Sequence, residues 1–130
     1  MKTLSRVLFA IAALLLAFGV YVHTSAFNRV SASVAKSDLS DFLGKGLKVL
    51  WLQDSALQII FAVVFAVLAI RPTAAPRWVV VMLAALLLTT VVSVYYFIGN
   101  FIAGHLFLAV AIAAILGALL NSEKRLDLQD

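Results

Sequence analysis

The sequence contains no cysteine and few charged residues, and both shortages exclude whole classes of protein. Without cysteine the chain has no disulfide, no thiol nucleophile and no thiolate-ligated zinc or iron-sulfur cluster. Only 12% of its residues are charged, which is about half the share found in an ordinary soluble domain. The composition is instead 65% hydrophobic with a mean hydropathy of +1.12, so a soluble monomer is excluded.

Most of the hydrophobic residues fall in four long apolar runs. Each run is about 20 residues long, the length that an α-helix needs to cross the hydrocarbon core of a bilayer. We therefore predict an all-α, polytopic integral membrane protein that folds as an antiparallel four-transmembrane-helix bundle. The predicted spans are residues 4–23, 47–70, 78–98 and 101–120, within a single transmembrane domain that covers residues 1–130.

The first span and the loop that follows it both need interpretation. A basic start, an apolar stretch and small residues near Ala26 also resemble a cleaved signal peptide, although we expect the segment to be retained as a span. The loop is predicted to cover residues 24–46. Within it Phe27, Val30 and Val34 recur at helical spacing, which predicts a short interfacial amphipathic helix lying on the outer membrane surface.

Lysine and arginine residues set the predicted orientation. Six flank the side of the spans that carries both termini (Lys2, Arg6, Arg71, Arg77, Lys124, Arg125), and four lie in or beside the long loop (Arg29, Lys36, Lys45, Lys48). The positive-inside rule then places both termini in the cytoplasm of a bacterial inner membrane. The net charge of +4 is explained by anionic lipid head groups, so the expected partner is the lipid bilayer and not nucleic acid.

Small and polar residues recur at steps of three or four and define one face of each predicted span. In the second, third and fourth spans these series are Asp54, Gln58, Ala62, Ala66 and Ala69; Ala85, Thr89, Ser93, Tyr96 and Asn100; and His105, Ala109, Ala113 and Gly117. Small residues let helices approach closely in a membrane, where apolar contact alone gives no drive for association. We expect these faces to meet inside the bundle.

The polar residues within the spans concentrate in the outer half of the bundle. Asp54 is the only acidic residue in any span, so its carboxylate is expected to be protonated or to have a partner. We predict an outward-facing site that binds a ligand or a proton. Its candidate residues are Asp54, His105, Tyr96, Ser93, His23 and Gln58. The alternative is a purely structural polar contact that joins the second and fourth spans.

Three function classes remain open. A non-catalytic accessory subunit or small-ligand-binding module, which acts with another membrane protein or a second copy of itself, requires the least. No nucleophile–base pair, paired carboxylates or phosphate-binding glycine loop occurs, so no catalytic residue is predicted and an enzyme is not favoured.

The second class is a haem or metal protein, in which His23 and His105 ligate one haem b, or a metal ion with Asp54 as a third ligand. No cofactor is otherwise expected.

The third class is a proton-coupled exporter of small molecules. The length, the four spans and the single intramembrane acid at Asp54 resemble the general plan of the small multidrug transporters, which implies a dimer. In that family the essential acidic residue is a glutamate in the first span, whereas Asp54 lies in the second.

Overall fold

The computed structural model describes residues 2–121 and contains four α-helices. They are α1 (Lys2–Ala35), α2 (Asp41–Ile70), α3 (Arg77–Phe97) and α4 (Ile102–Leu120). Each helix is long and apolar enough to cross a membrane, which confirms the all-helical fold and the number of membrane-spanning candidates. Lys124 and Arg125, which contribute to the predicted orientation, lie outside the described residues.

The helices do not pack simply in chain order. The extensive interfaces join α1 to α2, α1 to α4, and α3 to α4. Across the bundle the order is therefore α2, α1, α4 and α3, and α1 lies between α2 and α4. The buried core follows these interfaces, with Phe9 and Leu16 of α1, Phe65 of α2 and Val110 of α4 almost wholly enclosed.

The predicted loop over residues 24–46 is wrong in extent. Helix α1 continues to Ala35 and α2 begins at Asp41, so there is no separate amphipathic helix between them. Residues 24–50 instead form two packed helical arms, which we call the distal hairpin. Gly44 makes the contact close, because a Cβ there would lie 3.0 Å from Cγ1 of Val34.

The distal hairpin extends beyond the other two helices. At a rise of 1.5 Å per residue, α1 and α2 are about 51 and 45 Å long, against about 30 Å for α3 and α4 and for the hydrocarbon core. All four helices are level at the opposite end, which we call the proximal end. There Ser5 Oγ donates a hydrogen bond to the Gly117 carbonyl at 2.7 Å, and Asn121 Nδ2 donates to the Pro72 carbonyl at 2.6 Å.

The buried face of α3 is not the predicted one. Ala85, Thr89, Ser93 and Tyr96 are exposed, and the buried residues of α3 are Val80, Ala84, Leu87 and Val91. Both series have helical spacing, but the second is wholly apolar, and its side chains pack in the interface with α4. Helix α3 then turns into α4 at Gly99, whose φ of +87° suits glycine best.

Candidate functional site

The acidic residue of the spans pairs with the histidine of α1. His23 Nε2 lies 3.4 Å from Asp54 Oδ2, and the same carboxylate oxygen accepts a hydrogen bond of 2.6 Å from Gln58 Nε2. Gln58 is 4% exposed, so its amide is one of the few polar groups buried in the bundle. Asp54 therefore has two polar partners, His23 across the α1–α2 interface and Gln58 on its own helix.

Trp51 and Ser55 complete this cluster, and neither is among the six predicted site residues. The Trp51 indole stacks on the His23 imidazole with ring centroids 4.0 Å apart, and its Nε1 donates to the His23 carbonyl at 3.0 Å. Ser55 Oγ lies 2.8 Å from His23 Nδ1. Trp51, Ser55 and Gln58 are spaced by four and three residues, which places them on one face of α2. That spacing was a signal that could have found them.

The cluster can take up a proton without moving a heavy atom. In neutral His23 with its proton on Nε2, the nitrogen 3.4 Å from Asp54, Ser55 donates its hydroxyl proton to Nδ1. When Nδ1 is also protonated, Ser55 accepts from it and donates instead to the Trp51 carbonyl, which lies 3.2 Å away. A serine hydroxyl both donates and accepts and can rotate between these two arrangements.

A groove opens directly beside this cluster. It has a volume of about 170 Å³, is almost entirely apolar and is open along one side. Helix α1 forms its floor, and α2 and α4 form its walls. The lining residues are Phe18, Gly19, Val22, His23, Ala26, Trp51, Gln58, Phe101, Ile102, Ala103, Leu106 and Phe107.

Gln58 supplies the polar point of the groove. While its Nε2 is bonded to Asp54, its Oε1 accepts no hydrogen bond from any of residues 2–121. Gly19 makes room for this amide, since a Cβ at that position would lie 3.0 Å from Oε1 and 3.3 Å from a methyl carbon of Leu106. A donor group that enters the groove would find this acceptor at its wall.

His105 belongs to a different cluster, so the structure does not bring Asp54 and His105 into one site as predicted. His105 Nδ1 lies 2.7 Å from the Tyr95 hydroxyl, and Nε2 lies 2.6 Å from Asn100 Oδ1. A neutral imidazole protonated at Nε2 satisfies both contacts, with Tyr95 donating to Nδ1. These three side chains join the end of α3 to the start of α4 around the turn at Gly99.

The other two candidates lie on the exposed face of α3. Tyr96 is 79% exposed and packs against the ring of Phe97. Ser93 Oγ donates to the Thr89 carbonyl one turn earlier, at 2.9 Å. Neither residue lines the groove, so the structure brings together only His23, Asp54 and Gln58 of the six candidates.

A shared haem or metal ion would require the two histidines to converge. Each ring nitrogen of His23 and His105 already faces a polar atom of its own cluster. Within residues 2–121, no group of three or more histidine, cysteine, aspartate or glutamate residues is placed to hold a metal ion. The donor set therefore does not fit a bis-histidine haem, and we derive no chemistry from one.

Comparison of the chain with protein-family models, curated proteins and solved structures gives no match. The functional assignment must therefore rest on the residues described above.

Proposed function

We propose that this protein is a non-catalytic membrane module that binds a small amphipathic molecule in the groove between α1, α2 and α4. The observation that carries the proposal is the position of Gln58. Its buried amide offers a hydrogen-bond acceptor at the wall of an otherwise apolar groove. Binding sites of this type combine an apolar lining with very few polar groups that orient the ligand.

The size of the groove limits what enters it. A volume of about 170 Å³ is smaller than the roughly 300 Å³ at which typical small-molecule sites begin. The groove therefore suits one ring or a short chain segment, with the rest of the ligand outside its open side. Four aromatic residues, Phe18, Trp51, Phe101 and Phe107, line it, which favours a flat apolar group that carries a hydroxyl or amine donor for Gln58.

The same proposal places the molecule in a membrane, with both termini on the cytoplasmic side of a bacterial inner membrane. It is supported by the length and apolar character of all four helices and by the sequence, in which six lysines and arginines flank the spans on the side of the termini and four lie in or beside residues 24–46. The groove would then face the outer leaflet, where its open side lets an apolar ligand enter from the bilayer. The distal hairpin would stand in the aqueous phase above it.

Trp51 allows a direct test, because it lines the groove and its fluorescence reports occupancy. Trp78→Phe leaves Trp51 as the only tryptophan, and Trp51→Phe leaves Trp78 at the far end as a control. We expect 4-bromophenol to quench Trp51 saturably and Trp78 only in proportion to its concentration. 4-Bromoanisole, which has the same ring but no donor, should bind about tenfold more weakly, as expected for one lost hydrogen bond.

The matched variant is Gln58→Met, which keeps the length of the side chain and removes the acceptor. It should weaken 4-bromophenol binding by about tenfold and leave the weak binding of 4-bromoanisole unchanged. Equal, unsaturable quenching of Trp51 and Trp78 would mean partition into the lipid or detergent phase, and the binding proposal would be wrong.

A second candidate function, proton-coupled export, is favoured by one observation. The His23–Ser55–Asp54 arrangement can gain a proton at Nδ1 beside the groove, so ligand and proton would bind next to one another. Export predicts that overexpression increases the resistance of cells to hydrophobic toxic compounds and that Asp54→Asn abolishes the increase. Unchanged resistance with a properly inserted protein would exclude this function and leave the binding module.

A further inference from the structure

A second pocket lies at the proximal end, far from the groove, and its lining is basic. It has a volume of about 390 Å³, and Lys2, Arg6, Arg71, Thr73 and Asn121 contribute its polar side chains. Lys2 and Arg6 come from the start of α1, and Arg71 and Thr73 from the connection between α2 and α3. Asn121 directly follows α4. Three separate parts of the chain therefore surround one space.

Two hydrogen bonds hold these parts together. Asn121 Nδ2 bonds to the Pro72 carbonyl at 2.6 Å, which fastens the end of α4 to the connection that carries Arg71 and Thr73. Ser5 Oγ bonds to the Gly117 carbonyl at 2.7 Å, and Ser5 is fully buried. This fixes the first turns of α1, and with them Lys2 and Arg6, against the same end of α4.

Charge at this pocket is unbalanced within residues 2–121. All the acidic residues in that range, Asp38, Asp41 and Asp54, lie in the distal hairpin or at the groove. The ion pairs within residues 2–121 are His23–Asp54 and Lys45–Asp41, and neither involves a residue of the pocket. Three cations around one space repel each other unless an anion lies between them.

We propose that this pocket binds the phosphate group of an anionic membrane lipid. Arginine pairs with phosphate oxygens through two parallel N–H groups, and lysine adds a compact positive charge. The Thr73 hydroxyl supplies a further donor. The pocket is at the level where α1 begins and where α2 and α4 end, which is the depth of head groups for helices that cross a bilayer.

The surrounding surface favours a lipid over a free phosphate ion. Ile70 lines the pocket and is 71% exposed, and Val7, the residue after Arg6 in α1, is 47% exposed. Acyl chains attached to a bound head group would cover these side chains. A free phosphate ion would bind the same cations but would gain nothing from the apolar surface.

The test measures lipid binding to the full chain in detergent by native mass spectrometry and by the shift in thermal unfolding temperature. Phosphatidylglycerol, phosphatidylcholine and inorganic phosphate are the three probes. The variant is Lys2→Gln/Arg6→Gln/Arg71→Gln, and the control Arg29→Gln/Lys36→Gln/Lys45→Gln removes the same charge from exposed positions of the distal hairpin.

We expect the protein to bind phosphatidylglycerol in preference to phosphatidylcholine, and the pocket variant to lose about a hundredfold in affinity, since each cation contributes about fivefold near an anionic surface. The control should lose less than about threefold. Equal losses in the two variants, or displacement of the lipid by inorganic phosphate at millimolar concentration, would overturn the proposal. So would binding that occurs only after Glu123, Asp127 and Asp130 are changed to amides, because the chain's own tail would then be the occupant.

Discussion

His23 and Asp54 face each other across the α1–α2 interface, with Nε2 and Oδ2 3.4 Å apart. The pair is held from both sides, because Ser55 contacts the other nitrogen of the imidazole and Gln58 donates to the same carboxylate oxygen. Trp51 covers the ring face. A titratable pair is therefore fixed beside an apolar groove, and its neighbours give it a second proton arrangement.

The first prediction concerns the strength of this pair. A double-mutant cycle with His23→Gln and Asp54→Asn should give a coupling of about 0.5–1 kcal/mol in the free energy of unfolding, because both side chains are partly exposed. The measurement is reversible unfolding in mixed micelles. The control cycle pairs Asp54→Asn with His105→Gln and should be additive within about 0.5 kcal/mol. Coupling in the control but not in the first cycle would restore the common site of Asp54 and His105 predicted from the sequence.

A common site of Asp54 and His105 could not be excluded from the sequence, because it depends on which helices are neighbours in the fold. Small-residue faces on the second and fourth spans suggested that α2 and α4 meet, whereas α1 lies between them. On α3, the predicted face carries small and polar residues and the buried face carries apolar ones, and both have helical spacing. Lipid and core are similar environments for leucine and valine, so hydropathy gave the number of helices but not their buried faces.

The first two helices are also longer than predicted, for a physical reason. Half of residues 24–35 are polar, but the segment contains neither proline nor glycine, so nothing in it ends a helix. Thr24, Ser25 and Ser33 donate their hydroxyl protons to backbone carbonyls of the preceding turn, which hides part of their polarity within the helix. The neighbouring arm of α2 then stabilises this extension through the contact of Gly44 with Val34.

The second prediction separates His105 from the groove. His105→Leu removes the contacts to Tyr95 and Asn100 and should lower the free energy of unfolding by about 1 kcal/mol, the usual net value for exposed hydrogen bonds. It should change the quenching of Trp51 by 4-bromophenol by less than about twofold, since His105 does not line the groove. A loss as large as that of Gln58→Met would return His105 to the binding site.

The third prediction tests the orientation in the membrane. Ala35 and Ala74 are exposed alanines at opposite ends of the bundle, and the chain has no cysteine of its own. In intact cells, an impermeant thiol reagent should label Ala35→Cys, and it should label Ala74→Cys only after permeabilisation. The reverse pattern would place both termini outside and the distal hairpin in the cytoplasm.

The last prediction concerns the close approach of α1 and α4 at the proximal end. A Cβ at Gly117 would lie 2.8 Å from Cε1 of Phe9, and Phe9 is itself fully buried. Gly117→Ala must therefore displace an enclosed ring and strain the bond from Ser5 to the Gly117 carbonyl. We expect the free energy of unfolding to fall by about 1–3 kcal/mol, as for other overpacked cores.

Gly46 provides the matched control for that substitution. It also lies within a helix, but a Cβ added to it meets no atom within 4 Å. Gly46→Ala should therefore leave stability unchanged or raise it by up to about 1 kcal/mol, because alanine favours the helix more than glycine does. If both variants were equally stable, helices α1 and α4 would have to be farther apart than the contact between Gly117 and Phe9 requires. The basic pocket would then lose the interface that holds Lys2 and Arg6 in place.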